Sequence, residues 1–185
     1  IAIDTLVSGP MLRHITSHLA TIDDAQFDRV KGLCLSLGAV LVRPLAEALS
    51  VEENTRARER LTKILVAFGA IGRRQVERLK GSPNMAVRRT AVYLLREFGG
   101  KDALPDLAEL INDNEPQVQR EAIAAIVKIG TERAYTVLEQ ALVGGTSRSR
   151  DTMMQSLSLL RDEQATPLLA HLLQHISHRG RLASI

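Results

Sequence analysis

Apolar residues return along this chain at helical spacing and in a register that repeats. Counting back from Gly38, Gly69, Gly99 and Gly130, and from Arg161 where the series would next place a glycine, gives four columns. One reads Val30, Leu61, Ala91, Ala122 and Met153; the next reads Leu33, Ile64, Leu94, Ala125 and Ser156. Then come Cys34, Leu65, Leu95, Ile126 and Leu157, and finally Leu37, Phe68, Phe98, Ile129 and Leu160. Within a unit these positions fall at i, i+3, i+4 and i+7, one face of an α-helix. Eighteen of the twenty are apolar, the exceptions being Cys34 and Ser156. The glycines stand 31, 30 and 31 residues apart. A self-similar period of this size predicts stacked two-helix units, an all-α solenoid.

A glycine closing each stripe predicts a left-handed C-cap that stops the first helix and turns the chain. Pro44 and Pro105 lie six residues past their glycines, Pro167 six past Arg161, and Pro10 six past Asp4. Each predicts the first turn of a second helix, where a missing N–H has no intrahelical partner to lose. Pro83 and Pro116 open first helices instead, so no proline is expected in a helix interior. Asp102 and Asp162 are the expected N-caps of their second helices. Apolar second-helix faces include Leu104, Leu107 and Ile111, then Leu138 and Leu142, then Leu168, Leu169 and Leu172. The second helix over 73–79 has a thin apolar face. The units read as 20–50, 51–80, 81–112, 113–143 and 144–175, after a partial unit over 1–19 and before a tail over 176–185, frayed from His178. All belong to a single solenoid over 1–185.

Composition sharpens this picture in three places. Aromatics are only 3% and Trp is absent, which suits layered aliphatic helix packing. The net charge of +3 is too small to point to nucleic acid by itself. The single cysteine, Cys34, sits between Leu33 and Leu35, where a buried free thiol in a reducing, cytoplasmic setting is expected. No run of about 18 apolar residues is present, so no membrane span is expected, and no signal peptide is visible. The chain begins Ile1-Ala2-Ile3-Asp4, without methionine and in the register of a helix end. That start points to a piece of a longer protein.

The units resemble HEAT repeats, of the short bacterial HEAT-like type also found in phycobilin lyases. The resemblance is carried by Val87-Arg88-Arg89-Thr90-Ala91-Val92-Tyr93-Leu94-Leu95-Arg96-Glu97-Phe98-Gly99, followed by Asp102-Ala103-Leu104-Pro105-Asp106-Leu107. It recurs over Asp113, Val118, Ala122, Ile126, Gly130, Ala134 and Leu138. The family often places an Asp five residues before a Val-Arg pair. Here Asp113 and Val118 keep the spacing with Gln119 in place of Arg, while Arg88 keeps the Arg with Ser82 in place of Asp. The resemblance implies a right-handed superhelix with second helices on the concave side, and a binding or scaffolding role. The HEAT-like di-iron hydroxylases use His-Glu dipeptides, and none occurs here.

Candidate chemistry is sparse. His14 and His18 are four residues apart, as are His171 and His175, with His178 beyond. An i,i+4 pair can chelate a metal, yet neither pair has a neighbouring acid or thiol in sequence to complete a ligand set. Solvent-exposed histidines are expected, with a metal site at His171 and His175 the minor alternative. Residues 73–89 carry Arg73, Arg74, Arg78, Lys80, Arg88 and Arg89 against Glu77, a net of +5. Residues 102–119 carry Asp102, Asp106, Glu109, Asp113 and Glu115 with no base, a net of −5. A groove that tracks phosphates needs basic residues along its length and aromatics to stack bases. Here the sign reverses, and Tyr93 and Tyr135 are the only tyrosines. Gly144-Gly145-Thr146-Ser147 reads as a turn with an N-cap. Glu52-Glu53 and Asp23-Asp24 sit at helix starts, where the dipole favours them.

The expected function is a non-catalytic protein–protein interaction or scaffolding module of a larger bacterial protein, with no cofactor. Its contacts are the second-helix residues Arg43, Arg74, Arg78, Asp106, Glu109 and Arg133. One alternative is nucleic-acid binding through Arg73, Arg74, Arg78, Lys80, Arg88 and Arg89. Another is an accessory role in a lyase-like enzyme, which requires a concave pocket. Self-association through apolar solenoid ends, including Ile1, Ile3 and Leu6, is a further expectation.

Overall fold

The computed structural model describes residues 9–182. Eleven α-helices follow one another along them, with no strand among the described residues. They are α1 (Gly9–Leu19), α2 (Asp24–Leu37), α3 (Val42–Val51), α4 (Thr55–Ala67), α5 (Gly69–Leu79), α6 (Met85–Gly99), α7 (Leu104–Leu110), α8 (Pro116–Ile129), α9 (Glu132–Gly144), α10 (Ser147–Ser158) and α11 (Asp162–Leu182). Short 3₁₀ segments, Ala39–Leu41 and Gly100–Ala103, lead into α3 and α7. Ile1, Ile3 and Leu6 lie outside the described residues.

The chain divides into two compact units, 1–98 and 99–185. In the first, α1 packs on α3, α3 on α5, and α2 on α4, while α3 and α4 pack on each other. In the second, α7 packs on α9, α9 on α11, and α8 on α10, while α8 packs on α7 and α9. First helices thus lie on first helices in the α2–α4 and α8–α10 pairs, and second helices on second helices in the α1–α3, α3–α5, α7–α9 and α9–α11 pairs. This two-layer arrangement follows from the apolar columns. Leu61, Ile64 and Leu65 are fully buried, as are Ala91, Leu94 and Leu95; Ala122 and Ile126 are too, and Ala125 is nearly so. The last column (Leu37, Phe68, Phe98, Ile129, Leu160) is only partly covered in every repeat, because it closes the helix beside the turn.

The first repeat departs from its column. Cys34 is buried, but Leu33 is 61% exposed. The reason lies in α1, which leans on α3 and α4 and leaves an apolar cavity of about 240 Å³ against α2, lined by Ile15, Leu19, Val30, Leu33, Cys34 and Leu37. In the last helix Leu168 is buried and Leu169 is exposed, because α8 and α9 cover only one side of α11.

The turns refine the punctuation. Gly130 caps α8 in the left-handed region at φ 63°, ψ 22°, and Gly38 and Gly69 also have positive φ. Gly99 does not: α6 runs through it and passes directly into the 3₁₀ segment, which needs no left-handed residue. Asp102 lies inside that segment, and the cap position of α7 is Ala103, so Asp102 is not the N-cap. Asp162 is likewise the first helical residue rather than a cap. Pro105 and Pro116 sit in the first turn of α7 and α8, but Pro167 is inside α11. The 3₁₀ lead-ins that precede α3 and α7 are replaced there by α-helix from Asp162 onward. α11 also stays helical to Leu182, through the segment expected to fray. Side-chain caps stand at Asp23, which forms a capping box with Gln26, and at Asn54, Thr131 and Thr146.

α5 is thin as expected, with Gly72, Val76 and Leu79 as its buried residues. Gly72 is tightly enclosed. A Cβ there would stand 2.6 Å from Phe68 Cβ and 3.1 Å from the Phe98 ring.

Candidate functional site

Much of the polar chemistry holds the loops between repeats. In the loop before α4, the Glu52 carboxylate accepts the Asn54 N–H at 2.9 Å, and the Arg58 guanidinium donates to the Glu52 carbonyl at 2.8 Å. Before α6, the Ser82 hydroxyl accepts the Asn84 N–H at 3.2 Å, and Arg88 donates to the Ser82 carbonyl at 2.8 Å. Before α8, the Asp113 carboxylate accepts the Glu115 N–H at 2.8 Å, and the Gln119 amide donates to the Asp113 carbonyl at 2.7 Å. The same two bonds thus recur with three different residue sets. In each, a side chain from the helix reaches back six residues to a loop carbonyl. Gln119 keeps the bond that Arg makes elsewhere, at the cost of a buried Oε1 with no hydrogen-bond partner. Arg150, at the corresponding place in the last repeat, is exposed.

A second clamp is buried. Arg60 on α4 is 4% exposed. Its Nη1 donates to the carbonyls of Leu19 at 2.9 Å and Ile22 at 2.7 Å, its Nη2 bonds Asp24 Oδ1 at 2.6 Å, and its guanidinium lies 5.0 Å from the Phe27 ring centre. It therefore closes the C-terminal end of α1 and fixes the start of α2 with one side chain. The hydrogen bond and charge of Arg60 hold the Asp24 carboxyl below its usual range. Nothing in the sequence singles out Arg60, which looks like an ordinary surface arginine among Arg56, Arg58 and Glu59.

Against this background the candidate residues separate. Of the basic cluster, Arg88 is engaged at the Ser82 carbonyl, and Arg73 bonds Glu77 at 3.0 Å in a half-buried pair. Arg74, Arg78 and Arg89 are exposed and Lys80 is half-buried. Neither tyrosine is available as a stacking platform: Arg96 lies over the Tyr93 ring, and Tyr135 is 8% exposed. Of the second-helix set, Arg43 pairs with Glu47 at 2.9 Å at the surface; Arg74, Arg78, Glu109 and Arg133 are exposed and Asp106 is half-buried.

The histidines do not follow the exposed reading throughout. His14 and His18 are exposed, their rings 4.2 Å apart. His171 is buried, with Nε2 3.6 Å from Glu139 Oε2 and the ring 5.8 Å from that of Tyr135. Glu139 is itself only 5% exposed. The acid comes from the preceding second helix, 32 residues earlier, so sequence proximity could not reveal it. The side chains of His175 and His178 lie outside those described. No group of three or more His, Cys, Asp or Glu side chains is placed to hold a metal ion among the described residues. Burial pushes the Cys34 thiol up, away from the reactive thiolate.

Second helices also form hollows. A cleft of about 540 Å³ lies between α1 and α3, and one of about 270 Å³ lies between α7 and α9, lined by Ala108, Ile111, Asn112 and Val137 among others. No single helix among the described residues is long and apolar enough to cross a membrane.

Residues 73–158 match the HEAT repeats family, somewhat less than half of the chain. Over that stretch the chain is HEAT-like, and HEAT repeats generally mediate protein–protein interaction or scaffolding. No curated protein matches it. Among solved structures, it is similar to the crystal structure of an engineered protein at 16% identity and a TM-score of 0.38, covering 92% of this chain and 84% of that one.

Proposed function

We propose that this HEAT-like chain is a non-catalytic protein–protein interaction module of a larger bacterial protein. The reading is supported chiefly by one contrast. Recurrent polar side chains of the first helices (Arg58, Arg60, Arg88, Gln119) are engaged in holding loops, whereas Arg43, Arg74, Arg78, Glu109 and Arg133 on the second helices are exposed and Asp106 is half-buried. The proposed contacts are Arg43, Arg74, Arg78, Asp106, Glu109 and Arg133. Charged, exposed positions of this kind steer a partner of complementary charge. The test is quantitative capture with the wild-type chain and a variant reversed in charge at all six. Proteins retained by the wild type should be lost on the variant; identical sets on both would sink the reading.

Nucleic-acid binding through residues 73–89 draws less support, because Arg88 and Arg73 already bond within the protein and Arg96 lies over the Tyr93 ring. A single-stranded oligonucleotide at low salt should show no measurable binding. Saturable binding that falls steeply with salt would favour that reading instead. The buried thiol of Cys34 suits a reducing, cytoplasmic setting.

A further inference from the structure

The cleft between α1 and α3 has a chemistry that selects its occupant. Its apolar lining includes Leu12, Pro44, Ala48 and Val51, and Val51 is 73% exposed although it ends an otherwise well-packed helix. Among the described residues, the ionised side chains in the lining are both carboxylates, Glu47 and Glu52, with Glu53 following on the exposed loop. Each lining carboxylate already uses one oxygen. Glu47 Oε1 bonds Arg43 Nε at 2.9 Å, and Glu52 Oε1 accepts the Asn54 N–H at 2.9 Å. Oε2 of each is left to receive a second donor. At about 540 Å³ the cleft has the size of a site that holds a few side chains rather than a flat patch.

We infer that this cleft docks a basic amphipathic segment of a protein partner. Apolar side chains of that segment lie on Leu12, Ala48 and Val51, and a lysine or arginine reaches the carboxylates of Glu47 and Glu52. An acidic segment would bring like charges together beside a partly desolvated surface, which costs affinity. The inference rests on the interaction reading above and narrows it to one surface and one class of partner.

The test uses the whole chain and fluorescence anisotropy with two probes. One is a short fluorescein-labelled amphipathic peptide of leucine, alanine and lysine; the other has glutamate at every lysine. The basic peptide should bind at least about tenfold more tightly than the acidic one. Glu47→Gln with Glu52→Gln should erase most of that preference, and Ala48→Trp, which fills the half-exposed floor, should abolish binding. Glutamine keeps an Oε1 to accept from Arg43 and from the Asn54 N–H, so these two substitutions report even if the tryptophan disturbs folding. Equal binding of both peptides, no binding of either, or binding of the basic peptide that ignores all three substitutions would overturn the inference. In that event the wider reading still stands if charge reversal at Arg74, Arg78, Asp106, Glu109 and Arg133 abolishes capture. If that capture is unaffected too, both fail.

Discussion

Replacing Arg60 with alanine should remove its bonds to Leu19, Ile22 and Asp24 together, and the Ile22 carbonyl would keep only the longer bond from Arg56 at 3.2 Å. Losses of this kind amount to about 3 kcal/mol, readable as a lower urea midpoint. Lysine at the same place should recover only part, since an ammonium cannot fork to three acceptors in a fixed plane. Asp24 adds a pH signature. Its carboxyl is held below its ordinary value of 3.8. The pair therefore supports the fold above that value, and the support is lost as pH falls through the lower folded one. Asp24→Asn should flatten the decline of the thermal midpoint on the acid side. The change should be modest, because the carboxylate itself is solvent-exposed. An unaltered acid profile would mean that Arg60 does not depend on this partner.

At the scale of elements, two glycines make a matched comparison. A Cβ on Gly72 of α5 would stand 2.6 Å from Phe68 Cβ, whereas one on Gly32 of α2 meets nothing within 4 Å. Gly72→Ala should cost about 1–3 kcal/mol through overpacking, and Gly32→Ala should stabilise by about 0.5–1 kcal/mol through helix propensity. Equal effects in denaturant titrations would contradict the packing described. The docking of α11 on α9 offers a second test. His171→Ala and Glu139→Gln, singly and together, should show a coupling of about 1 kcal/mol, because both groups are buried and 3.6 Å apart. Additive effects would mean that the contact does not hold the two helices. The helices themselves were legible from the columns, since burying Leu61, Ile64 and Leu65 or Leu94 and Leu95 demands that periodicity. Gly72, Arg60 and the His171–Glu139 pair were not. Each depends on which side chain faces which across helices, and residue order along one helix does not carry that information. Gly99 and Pro167 depart from the repeat register for a related reason: the same spacing is met by a 3₁₀ lead-in in one repeat and by continuous α-helix in another.

For the molecule as a whole, contacts between neighbouring repeats make stability a local quantity. Arg60→Ala should speed amide exchange in α1, α2 and α4 while α8 and α9 keep their protection. Uniform acceleration along the chain would show instead that the array unfolds as one unit. The charge reversal between residues 73–89 and 102–119 is a feature of the whole chain that the columns do not explain. Its basic half is partly absorbed by structure, through Arg88 and the Arg73–Glu77 pair.

The loop bonds at Glu52 and Arg58, Ser82 and Arg88, and Asp113 and Gln119 bear on how such a chain can change its length. The two bonds of each clamp join residues two and six positions apart. A segment of one period, copied and inserted in register, would bring its clamp with it. Gene duplication could therefore lengthen the array without having to invent a new connection, and the residue sets at the three clamps are free to drift apart so long as a donor still reaches back to the same carbonyl.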